Sequence, residues 1–185
     1  MAIRFVGIDP GTNSGFVALD LQGNVLAAQE LKPTGKTVKG GLSTPQLVEL
    51  ENQLYQHLKG NDRVCIEAVP FGTMSQVTTG MIHGGLRSMI HRKKLDFDLV
   101  NPMWTKKFVD VKVEKGQTDK QKKDAMREAV LEKFGFSHKS HNVVDAYVIA
   151  RISLNLHLMR QYEPLIDQHR IQQEVVSDIM HKAAE

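Results

Sequence analysis

A chain of 185 residues, 41% hydrophobic and 24% charged, has the size and make-up of one folded domain with a short appendage, which excludes a disordered or fibrous protein. No run of about 18 apolar residues occurs, and the N-terminus reaches Asp9 without a signal-type apolar stretch, so no membrane span is expected. The single cysteine, Cys65, excludes an internal disulfide and points to a reducing, cytoplasmic setting; the net charge of +3 is concentrated as a Lys/Arg excess in residues 87–133, which suits a polyanionic partner.

In chain order, residues 3–9 are apolar and β-branched enough for a buried strand, and Pro10-Gly11-Thr12-Asn13 is a turn. Residues 14–20 read as a second strand, 21–24 as a hairpin turn and 25–31 as a third strand, giving an antiparallel meander. A loop over 32–43 leads to Thr44-Pro45, an N-cap with proline opening a helix that carries Leu47, Leu50, Leu54 and Leu58 and stops at Gly60.

Residues 63–67 form a short buried strand ending in Glu67, and Pro70-Phe71-Gly72 breaks the chain. The next helix, about 76–92, contains Gly80, Gly84 and Gly85. Each costs about 1 kcal/mol relative to alanine, so close approach of another backbone is the expected compensation. Residues 97–100 are a fifth strand, and Pro102 opens a short helix with Trp104, which together with the methionines reads as core. Thr118 and Gln121 form a capping box for a helix with Met126, Val130 and Phe134 on one face and Gly135 as its C-cap. Charge pairs Asp119–Lys123 and Asp124–Arg127 fit its exposed face.

A long helix starts near Asn142 and runs to about Arg160. Beyond residue 158 an extension to 185 holds one more candidate helix, with Ile171, Val175 and Ile179 at i+4 spacing. The order of elements predicts an α/β fold with a five-stranded mixed sheet, its first three strands antiparallel, flanked by helices.

Three carboxylates fall where sheets form sites: Asp9 and Glu67 at strand ends, and Asp145 in the first turn of the long helix. A turn cap, an edge-strand ion pair and a helix-dipole contact would explain them singly. Together, converging acids repel unless a cation neutralises them, and Mg²⁺ with its oxygen-ligand preference suits that role. A pair of such ions activates water and stabilises the leaving oxygen in phosphodiester cleavage. Asn142 and His141, three and four residues before Asp145, are candidates to complete the site.

With these residues placed, Gly7-Ile8-Asp9-Pro10-Gly11-Thr12, Cys65-Ile66-Glu67-Ala68-Val69-Pro70-Phe71 and Asn142-Val143-Val144-Asp145-Ala146-Tyr147 together resemble the RuvC-type Holliday-junction resolvases of the RNase H-like superfamily, over residues 1–158. The resemblance implies Mg²⁺-dependent cleavage of four-way junctions by a homodimer, with Mn²⁺ as a substitute. Its acidic ligands carry over to Asp9, Glu67 and Asp145. The family's fourth ligand position holds Asn142 here, a departure that leaves Asn142 and His141 both open as the fourth group.

By the same resemblance Phe71 stacks on a base, Lys120 is the lysine beside the scissile phosphate, and Lys106, Lys107, Lys112 and Lys115 contact other phosphates. The helix from Gln76 is the implied dimer surface. Forks and flaps are further substrates of this chemistry, and the family occurs in bacteria and phages. The first motif also resembles the phosphate loop of actin-like ATPases and sugar kinases, but those need a second copy of the fold, and no second such loop occurs. A non-catalytic junction binder of the same fold is favoured by Asn142 and disfavoured by the three retained acids.

Overall fold

A computed structural model describes residues 2–36, 41–69, 76–111 and 116–182. Five strands, β1 (Arg4–Asp9), β2 (Ser14–Leu19), β3 (Val25–Leu31), β4 (Asp62–Glu67) and β5 (Phe97–Val100), form one sheet in the order β3-β2-β1-β4-β5. β1, β2 and β3 pair antiparallel, while β4 is parallel to both β1 and β5. This is the mixed sheet expected. The helices are α1 (Thr44–His57), α2 (Gln76–Arg92), α3 (Pro102–Phe108), α4 (Asp119–Phe134), α5 (His141–Arg160) and α6 (Arg170–Lys182).

Strand side chains alternate between faces, and the two faces bury different partners. Val6, Ile8, Phe16, Val64 and Ile66 pack against Leu50 and Leu54 of α1 and Leu86 and Ile90 of α2. Phe5, Val17, Leu19 and Cys65 face α5, whose side chains from Val143 to Leu156 are almost all buried. A helix apolar on every side belongs in a core, and α5 is enclosed by the sheet and by α3, α4 and α6. Among the described residues no helix is long and apolar enough to cross a membrane.

Residues 159–182 are docked rather than free. Val175, Val176 and Ile179 of α6 join the α5 core, and Asp167 bonds Arg151 at 2.5 Å and Asn155 at 2.6 Å.

Several local expectations shift. The cap of α1 is Ser43, in a box with Gln46, because its hydroxyl accepts the Gln46 N–H. Helix α5 begins at His141 after Ser140, which moves Asp145 from the first turn into the second. Met81 and Met103 are exposed rather than core. Gly80 and Gly84 meet nothing within 4 Å, and Gly85 abuts side chains of Leu47 and Glu51, so no backbone approaches α2 there. The backbone contacts fall on glycines of the sheet instead.

Candidate active site

A Cβ at Gly7 would lie 2.1 Å from the Ala146 carbonyl oxygen, and one at Gly15 would lie 1.8 Å from that of Asn142. The α5 backbone therefore rests directly on β1 and β2, which only glycine allows. This fixes Asp145 over the end of the sheet. Ile8 pairs with Ile66 across the parallel strands β1 and β4, so Asp9 and Glu67 end those strands side by side. Gly7 and Cys65 face α5, and by alternation so do Asp9 and Glu67. Asp9, Glu67 and Asp145 line one cavity of about 320 Å³, together with Lys106 of α3, Asp119, Lys122 and Lys123 of α4, and His141.

The electrostatics follow from that enclosure. Burial, then repulsion from Glu67 and Asp145, lifts the Asp9 carboxyl well above the usual carboxylate range. Burial first and Asp145 second push Glu67 up to about 7, against the opposing pull of Lys106 and a hydrogen bond with Asp9. Burial pushes Asp145 up to about 6, while Lys106 and Lys123 oppose it. His141 is pushed the other way, by burial and then by the cations of Arg127 and Lys123, which favours its neutral form.

The donor set fits a divalent cation. It is made of hard carboxylate oxygens, desolvated and short of positive charge, and bound Mg²⁺ relieves both costs. No three His, Cys, Asp or Glu side chains among the described residues surround a single point tightly enough to hold an ion as they stand.

The other expected residues divide. Lys106 and His141 are at the cavity. Lys120 is exposed and does not line it. Lys120 lies six residues before the buried Met126, roughly a third of a turn off its face, whereas Lys123 is within that face. Lys122 also lines the cavity, so Lys123 is one of two lysines there that the sequence alone did not mark. The i−3 spacing from Met126 was its signal, and Asp119 pairs with Lys122 (3.4 Å), where the sequence reading paired it with Lys123.

Lys107 reaches Glu174 and Asp178 of α6, at 3.5 Å each, and helps hold that helix. The Asn142 amide donates to the Asn13 carbonyl at 2.8 Å and lies 3.4 Å from Glu30; it lines a neighbouring cavity and not that of the acids. Phe71, Lys112 and Lys115 lie outside the described residues.

No family model matches the sequence, and no curated protein matches it. Solved structures do. RuvC of Thermus thermophilus is 16% identical, with a TM-score of 0.61 over 88% of this chain and 97% of its own. T. thermophilus RuvC in complex with a Holliday-junction substrate is also 16% identical, with a TM-score of 0.62 over 87% of this chain and 96% of its own. The likeness establishes the fold: this chain has the RuvC architecture, of the RNase H-like class.

Proposed function

We propose that this chain is a metal-dependent endodeoxyribonuclease of the RuvC type, acting as a homodimer on Holliday junctions and related forks and flaps in the bacterial cytoplasm, whether from a bacterial or a phage gene. The observation that carries the reading is the single cavity shared by Asp9, Glu67 and Asp145 at the ends of β1, β4 and the second turn of α5, with lysines on its rim. A non-catalytic binder gains nothing from three desolvated acids.

Asp9, Glu67 and Asp145 hold Mg²⁺, or Mn²⁺ in its place, with His141 beside them. When bound, such ions lower the pKa of water and stabilise the leaving oxygen of a phosphodiester. The chain's own groups do the rest. Lys123 and Lys106 place positive charge at the cavity rim, where they orient the phosphate and offset charge that develops on it. Neutral His141 has a lone pair to accept a proton from water or to join the ligand set. The exposed face of α2, with Val77, Gly80, Met81 and Gly84, suits a second copy, which would place two equivalent sites on a two-fold junction.

The test compares purified protein on labelled four-way junction, fork, flap and linear duplex with Mg²⁺. Cutting confined to branched substrates supports the reading; equal cutting of linear duplex contradicts the structure selectivity.

A further inference from the structure

A second cavity, of about 390 Å³, adjoins that of the acids, and Lys123 and His141 line both. Lys139, Ser140, Asn142 and Glu30 of β3 complete its wall. Oε1 of Glu30 accepts from the Ser140 hydroxyl at 2.5 Å and from the Asn142 amide at 3.4 Å. Arg127 supports the wall from α4. Its Nη2 donates to the Lys139 carbonyl at 3.1 Å and lies 3.4 Å from both ring nitrogens of His141. The two exposed ammonium groups of Lys123 and Lys139 thus line the cavity against the one carboxylate of Glu30, and this excess of positive charge favours an anion.

We propose that this second cavity seats the DNA phosphate next to the scissile one, held by Lys139, with Lys123 shared between the two positions. The proposal rests on the nuclease reading above. A strand that brings one phosphate to the acids carries the next one nucleotide away, and Lys123 joins the two cavities into one path. Lys139 lies outside the basic stretch of residues 87–133, and only the fold brings it beside Lys123.

The test is equilibrium binding of full-length protein to a labelled four-way junction in EDTA across a salt series. Wild type is compared with Lys139→Ala and with Lys59→Ala, whose exposed lysine precedes the far end of β4. Losing one phosphate contact is expected to weaken binding by Lys139→Ala and to reduce the slope of log K against log salt by about 0.9, with Lys59→Ala unchanged. An unaltered slope for Lys139→Ala, or an equal reduction for Lys59→Ala, overturns the proposal and leaves the nuclease reading standing. Wild type that does not bind the junction overturns both.

Discussion

Asp9 and Glu67 end adjacent parallel strands and line one cavity, two carboxyls held side by side in a buried place. Such a pair holds a proton or a cation between its members, because two neighbouring desolvated anions are costly. Which of the two is present bears on the stability of the fold and on the activity proposed for it.

The first consequence concerns stability and pH. The three carboxyls bind protons more readily folded than unfolded, with Glu67 at about 7 and Asp145 at about 6. The stability linked to their protonation is full below the ordinary carboxylate range and is lost as pH rises through about 6 to 7. In EDTA, Asp9→Asn is therefore expected to melt above wild type at about pH 8, with the gap closing toward pH 5. Mg²⁺ raises the wild-type Tm more at pH 8 than at pH 6, since its ligands must be ionised, and barely moves that of Asp9→Asn. Thermal melts check both; a wild type that melts above Asp9→Asn at pH 8 in EDTA contradicts the electrostatics described.

Lysine identity is the second. Lys123 lines the acid cavity and Lys120 does not. Lys123→Ala is expected to lower kcat for junction cleavage by roughly 10²-fold, the scale of losing one charge-stabilising donor, and Lys120→Ala by less than about threefold. Single-turnover cleavage measures both. A larger loss for Lys120→Ala would restore the assignment made from sequence.

The third separates the neighbours His141 and Asn142. Asn142 bridges α5 to Asn13 and Glu30, so Asn142→Ala is expected to cost about 1–3 kcal/mol of stability in urea melts and to retain cleavage once folded. His141→Ala is expected to lose cleavage with little change in stability. The reverse pattern would make Asn142 the fourth group of the site.

Much of this was legible in the chain. Helix α4 announces both its ends, with Thr118 and Gln121 forming the box and Gly135 in the left-handed region at φ 67°. Asp9 and Glu67 stood out because strands that end in carboxylates are uncommon without a purpose, and Asp145 because it falls near the start of the long helix that follows. What was not legible depends on contacts across long stretches of sequence. Asn142 bonds Asn13 from 129 residues away, and Gly7 and Gly15 are contact glycines only because α5 lies on them. The glycines of α2 drew attention by their number, but the space at Gly80 and Gly84 is open and Gly85 meets only side chains. Lys123 could not be told from Lys120 until Met126 and Val130 showed which face of α4 turns inward.

That contrast gives a fourth prediction. Gly15→Ala is expected to yield no soluble folded protein, because a Cβ there would strike the α5 backbone. Gly80→Ala has open space around it and should hold or gain stability, by up to about 1 kcal/mol. Denaturant melts of both variants check the packing, and a stable Gly15→Ala would refute the placement of α5.

The most direct measurement is cleavage of a labelled four-way junction by wild type and Asp9→Asn, each with and without Mg²⁺. The proposed function predicts paired cuts by wild type with Mg²⁺ and none in the other three reactions. Metal-independent cutting, or full activity in Asp9→Asn, would contradict it.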